Sequence, residues 1–111
     1  MNTENRRHAR KPINVSVIIK EDKGQPHNAI SADLSMQGIC LFTGKEDIQS
    51  GQIYNLKFNI LIRGKYMDVN AQAKVVHKAV HKYHGYTVGL EFTTIDSLSC
   101  ATLESFVGAF R

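Results

Sequence analysis

The chain has 111 residues, 42% of them apolar, with 14 Lys and Arg against 10 Asp and Glu. That length and composition suit one globular domain with its own core and exclude a multidomain assembly. Apolar runs such as Ile60-Leu61-Ile62 fall far short of the roughly 20 residues a membrane helix needs, and Met1 to Pro12 has no signal-peptide core. The protein is therefore expected to be cytoplasmic, with no membrane insertion. Cys40 and Cys100 form no CxxC pair or metal spacing, and each lies in an apolar stretch where a buried thiol is the ordinary outcome.

The positive charge is concentrated at one end. Residues 1 to 12 carry Arg6, Arg7, Arg10 and Lys11 against Glu4, whereas the rest holds ten cations against nine anions. Such a basic arm is either a solvated tail or a grip for an anionic partner.

After Pro12, Ile13, Val15, Val17 and Ile19 alternate with Asn14, Ser16 and Lys20, the period of two of a half-buried strand. Asp22-Lys23-Gly24-Gln25-Pro26 supplies a turn. A second strand is expected from about His27 to Leu34 and a third over Ile39 to Phe42, with Ser35-Met36-Gln37-Gly38 between them. Residues 44 to 52 read as a connection. Tyr54, Leu56, Phe58, Ile60 and Ile62 form the clearest stripe, Arg63-Gly64-Lys65 its turn, and Met67, Val69, Ala71, Ala73 and Val75 the return. Tyr86, Val88, Leu90 and Phe92 form a sixth strand. Leu103, Phe106, Val107 and Phe110 then recur at helical spacing, with Asp96 or Ser97 available as N-cap. The pattern predicts an all-β domain with a C-terminal helix: a six-stranded antiparallel β-barrel over residues 13 to 111, preceded by a flexible arm over residues 1 to 12.

Enzyme signatures are missing: there is no Walker loop, GxSxG elbow or GxGxxG. His77, His81 and His84 have a spacing that would gather imidazoles on a helix, but His77 continues an alternating strand and Tyr83-His84-Gly85 reads as a hairpin tip, so the rings are expected to diverge and hold no metal. Tyr54, Phe58, Tyr86 and Phe92 fall on the apolar stripes. A nucleic-acid-binding barrel, which needs aromatics among surface Lys and Arg, is therefore disfavoured.

Two short stretches carry chemistry together. Arg6-Arg7-His8-Ala9-Arg10 is RxxxR on the arm, and Asp33-Leu34-Ser35-Met36-Gln37-Gly38 is DxSxxG between two strands. Either alone is weak, since Asp, Ser and Gly are ordinary turn residues. As a pair they suit a purine nucleotide bearing phosphates. Guanidinium forks grip phosphate or the O6/N7 edge of guanine, a carboxylate accepts from guanine N1 and N2, a hydroxyl bonds base or phosphate, and glycine permits close approach.

RxxxR, then DxSxxG before a strand, in a six-stranded barrel with a C-terminal helix, resembles the PilZ domain, a bacterial receptor module for cyclic di-GMP. Ala73-Lys74-Val75-Val76 and Tyr86-Thr87-Val88-Gly89-Leu90-Glu91-Phe92 are similar to the family's late strands. The resemblance implies a non-enzymatic receptor in which Arg6 and Arg10 hold guanines and phosphates while Asp33, Ser35 and Gly38 line the floor, with Arg7 as a further contact. Asn5 stands where many members have another arginine linked to binding two ligand molecules. His77 replaces a common Trp. With no output domain on the chain, the resemblance implies signalling through an unidentified downstream protein, in motility or biofilm regulation. The alternative is a PilZ-like adaptor that works by protein contact with weak or no nucleotide binding.

Overall fold

Alternating apolar residues wind the chain into strands whose inner faces meet. The computed structural model describes residues 10 to 107. Among them are seven strands: β1 (Lys11–Pro12), β2 (Ser16–Lys20), β3 (His27–Leu34), β4 (Gly38–Thr43), β5 (Ile53–Ile62), β6 (Lys65–His81) and β7 (Gly85–Ile95), followed by helix α1 (Ser97–Val107). All pairings are antiparallel, in the order β1-β3-β2-β5-β6-β7-β4, and β4 returns to β3. Strands β2 to β7 thus close a six-stranded barrel, and β1 lies along the end of β3.

The stripes point inward. Val17, Ile19, Ile39, Leu41, Leu56, Ile60, Val69, Val75 and Val88 are buried in one core with Tyr54 and Phe58, while Tyr86 and Phe92 pack at its margin. The register sets large side chains against small ones: Tyr54 faces Ala73, and Leu56 faces Ala71. Such alternation fills a narrow barrel without voids.

Helix α1 closes the β5–β6 end by burying Leu103 and Val107. The Asp96 carboxylate caps it, accepting the Ser99 N–H at 2.7 Å. The Ser99 hydroxyl in turn accepts the Asn70 N–H of β6 at 2.9 Å, satisfying a donor on the strand's edge. Lys11 reaches the same helix, its ammonium donating to the Phe106 carbonyl at 3.2 Å and lying 4.2 Å from the centre of the Phe106 ring. Phe110 lies outside the described residues.

Three details differ from the alternating pattern. The expected first strand is interrupted over residues 13 to 15, because the Ser31 hydroxyl inserts there: it accepts the Val15 N–H at 2.9 Å and donates to the Ile13 carbonyl at 2.8 Å. Opposite this break β3 carries a bulge between Ser31 and Asp33, and β6 carries another between Val75 and His77. A bulge adds one residue and reverses the facing of every later residue on that strand. Finally, Cys40 and Cys100 are half-buried instead of sitting in the core. On β4 the inward positions fall to Ile39 and Leu41, which leaves Cys40 facing out.

Candidate functional site

The β3 bulge decides where Asp33 points. Ser31 and Leu34 are both buried. In an unbroken strand Asp33 would face the core with Ser31, but the extra residue Ala32 turns it outward. The β6 bulge does the same to His77: Val75 is buried, Val76 is the added residue, and His77 faces out opposite Gly89. The ladder then aligns Asp33 with Cys40, Cys40 with Gly89, and Gly89 with His77, a row across four strands on the barrel's outer face. At ordinary strand spacing the row spans about 14 Å.

Above this row lies an open cavity of about 370 Å³, lined by Arg10, Asp33, Gly38, Cys40, His77, Gly89 and Glu91 among others. Larger hollows of about 560 and 440 Å³ occur beside Lys45 and Asp47 and over Asn55 and Gln72. Neither contains an arginine, and size does not choose between them. The smaller cavity is the one that gathers residues of both sequence signatures.

Arg10 stands at its edge and donates from Nη1 to Asp33 Oδ1 at 2.6 Å. Strand β1 places it there, because Pro12 pairs with Asp33 and Lys11 with Leu34, while Lys11 is anchored on α1. Arg6 and Arg7 lie outside the described residues. Ser35 is 2% exposed and its hydroxyl works within the turn, accepting the N–H groups of Gln37 at 3.1 Å and Gly38 at 3.2 Å. The Ser35 N–H donates to the Gly38 carbonyl at 2.9 Å, and Phe92 N–H to the Gln37 carbonyl at 2.8 Å, so the turn is pinned to β7.

The two glycines serve different ends. A methyl at Gly38 would land on the Leu90 carbonyl oxygen and come within 3.2 Å of the Glu91 Cα; glycine is demanded by the approach of β4 to β7. A methyl at Gly89 would meet only the His77 Cβ, at 3.4 Å. The fold does not require glycine there, and its effect is to leave the cavity floor bare between Cys40 and His77, open to a flat ligand.

The cavity mixes signs of charge: Arg10 is countered by Asp33 and Glu91, with His77 beside them. Burial pushes the Cys40 thiol up from its ordinary pKa; the Asp33 carboxylate adds to the rise and Arg10 opposes it. Cys40, Gly89 and Glu91 escaped notice as site residues because only the cross-strand register brings them beside Asp33.

The histidine pattern resolves differently from expectation. His81 and His84 do not diverge; their rings lie 4.8 Å apart and both meet Phe42, His84 stacking on it at 4.6 Å. His81 Nδ1 accepts the N–H groups of Tyr83 and His84, which shapes the hairpin tip. Among the described residues no group of three or more His, Cys, Asp or Glu is placed to hold a metal ion, and no helix is long and apolar enough to cross a membrane.

The fold is a closed six-stranded β-barrel with a C-terminal helix and an open cavity on its outer face. The chain belongs to the PilZ domain family, which matches residues 4–109. Among solved structures it is similar to the inhibitor of motility MotI/DgrA of Bacillus subtilis, with TM-score 0.81 and 17% identity over 94% of this chain and 50% of that one. It is similar also to the PilZ domain of YcgR from Escherichia coli with c-di-GMP, at TM-score 0.69 and 14% identity over 93% and 88%. The PilZ domain of CeSA from a cellulose-synthesizing bacterium aligns at TM-score 0.58 and 16% identity over 91% and 96%. The chain thus spans half the length of the Bacillus protein but nearly all of the isolated PilZ domains. At these identities the likeness is one of fold. No curated protein matches the sequence.

Proposed function

We propose that the protein is a non-enzymatic receptor for cyclic di-GMP in a bacterial cytoplasm, and that it signals through a partner protein. The observation that carries this reading is the Arg10–Asp33 pair at the edge of a cavity with a bare glycine floor. Family membership and the c-di-GMP complex of the YcgR domain support the choice of ligand.

In the free protein Arg10 satisfies Asp33. A guanine base can take its place, because N1–H and N2–H both donate to a carboxylate, releasing Arg10 to phosphate oxygens or the O6/N7 edge. One charged pair is exchanged for two sets of charge-assisted bonds. Arg6 is the second grip and Arg7 an auxiliary one, so the arm closes over the ligand as a clamp. Ser35 and Gly38 act from beneath: the hydroxyl holds the turn after Asp33, and the glycine lets β4 lie close to β7. The closed arm becomes a surface for the downstream protein. Inhibition of motility, the named role of the similar Bacillus protein, is the kind of output this would serve.

Titration calorimetry decides the reading. Cyclic di-GMP should bind at micromolar strength or better, about −8 kcal/mol, GTP weakly, and cyclic di-AMP far more weakly because adenine lacks the paired donors. Equal heats from the two cyclic dinucleotides would overturn the guanine assignment. No heat from either would leave the family's other role, an adaptor working by protein contact.

A further inference from the structure

The geometry points to the tip of the β5–β6 hairpin as a docking element for an anionic phospholipid surface, one that holds the domain at a membrane face without crossing it. This goes beyond the receptor reading and does not rest on it.

The tip stands clear of the barrel. Toward it, β5 pairs with β2 only as far as Lys57, and β6 pairs with β7 only from Ala71, so residues 58 to 70 form a two-stranded ribbon with no third strand among the described residues. Buried Phe58, Ile60 and Val69 root it. Beyond them, Leu61-Ile62-Arg63-Gly64-Lys65-Tyr66-Met67 carries two cations and no anion. Leu61 and Tyr66, 52% and 72% exposed, lie directly opposite each other on one face, and exposed Met67 lies opposite Ile60 on the other. The side chains of Leu61, Arg63, Lys65 and Tyr66 make no hydrogen bond, ion pair or ring contact with a described residue. Asp68, next along β6, is opposite Asn59, whose amide donates to it at 3.3 Å.

The turn adds a second observation. Arg63 has φ +52° and Gly64 φ +81°, the positive pair of a type I′ turn. Asn, Asp or Gly ordinarily fills the first of these places, so arginine there carries backbone strain that the turn does not demand. What it contributes is a guanidinium at the apex, beside the Lys65 ammonium.

The chemistry selects the occupant. A protein groove would cover one face of the ribbon, and a second copy would also bring like charges together. Nucleic acid would satisfy the cations but not Leu61 and Met67, which neither stack nor pair with bases. A tip that is apolar on both faces and cationic at its apex suits a medium that surrounds it. In a headgroup layer tyrosine rings settle at the interface, aliphatic side chains reach the acyl boundary, and Arg and Lys meet phosphates. Depth is limited, because hydrocarbon would leave the ribbon's edge N–H and C=O groups unsatisfied. The hairpin tip at the other end of β6 lacks this freedom: His81 and His84 are held on Phe42, and Lys82 lies over the Tyr83 ring.

The test is co-sedimentation with vesicles of phosphatidylcholine alone and of phosphatidylcholine with about a third phosphatidylglycerol, at low ionic strength. Wild type should partition onto the anionic vesicles and stay off the neutral ones. Arg63→Gln with Lys65→Gln should weaken partition by about 25-fold, about fivefold for each cation. Leu61→Thr with Tyr66→Thr leaves the charge unchanged and should weaken it by about tenfold or more. The chain has no tryptophan, so Tyr66→Trp supplies a single reporter: its emission should shift to the blue on anionic vesicles and be quenched by lipids brominated in the acyl chain, whereas that of Tyr83→Trp should do neither. Wild type that stays off the anionic vesicles overturns the proposal. So does partition that survives both tip pairs but is lost in Arg6→Gln with Arg7→Gln, which places the contact on the arm, or a dimer that dissociates in Leu61→Thr with Tyr66→Thr, which makes the tip a contact between copies.

Discussion

Arg10 and Asp33, 23 residues apart in the chain, meet at 2.6 Å on the outer face of the barrel. The Arg10 side chain is 59% exposed and that of Asp33 33%. An ion pair so open to water contributes at most about 1 kcal/mol to stability. Its value lies in holding an exchangeable cation and anion side by side.

Arg10→Ala and Arg6→Ala should accordingly abolish cyclic di-GMP binding, or weaken it by more than about tenfold, while the melting temperature moves by only a few degrees. Asp33→Ala and Ser35→Ala should weaken binding more moderately. In saturating ligand, trypsin cleavage after Arg6, Arg7 and Arg10 should slow relative to cleavage in the barrel. An arginine variant that unfolds would make the arm a structural element instead.

The glycines separate fold from site. Gly38→Ala forces β4 away from the Leu90 carbonyl and should cost about 2 to 4 kcal/mol, read as a fall in melting temperature of ten degrees or more. Gly89→Ala meets only a side chain and should leave the melting curve nearly in place while weakening cyclic di-GMP binding. Similar melting curves for the two variants would contradict this division.

Cys40 reports on the cavity. Because the thiolate is the reactive form and burial with Asp33 raises the pKa, alkylation of Cys40 at neutral pH should be slow and should accelerate as pH rises past the ordinary thiol value. Asp33→Asn, which removes the anion, should speed it. Saturating cyclic di-GMP should protect Cys40 and leave Cys100, on α1, unchanged, as measured by mass spectrometry of the labelled peptides.

Alkaline stability should depend on Tyr54. Burial, with Glu21 and Asp47 nearby, pushes its hydroxyl up to about 12. That hydroxyl donates to Gln52 Oε1 at 2.9 Å. An unfolded tyrosine ionises near pH 10, so between about 10 and 12 the unfolded chain has lost a proton that the folded one keeps. The stabilisation is complete below pH 10 and declines by about 1.4 kcal/mol per pH unit above it. Denaturant melts of wild type and Tyr54→Phe across this range should show the extra slope in wild type alone. The Gln49 N–H still satisfies Gln52 Oε1 in the variant, at 2.8 Å.

The period of two by itself determined which residues fill the barrel: Val17, Ile19, Tyr54, Leu56, Val69 and Val88 are inward where alternation places them. It also determined the helix, whose cap at Asp96 and buried Leu103 and Val107 come from local spacing. RxxxR and DxSxxG named Arg10, Asp33, Ser35 and Gly38 as a set, because short motifs survive in linear order. Only the tertiary structure decided which way the site faces. A bulge leaves no mark in a pattern of alternation until the partner strand is present, so the outward turns of Asp33 and His77 depend on the registers of β3 against β4 and β6 against β7. The same holds for Ser31, whose hydroxyl fits a break in another strand, and for Gly38, whose missing side chain makes room for the Leu90 carbonyl 52 positions on. Local sequence fixes what a residue prefers to be near; closing the barrel fixes what it meets.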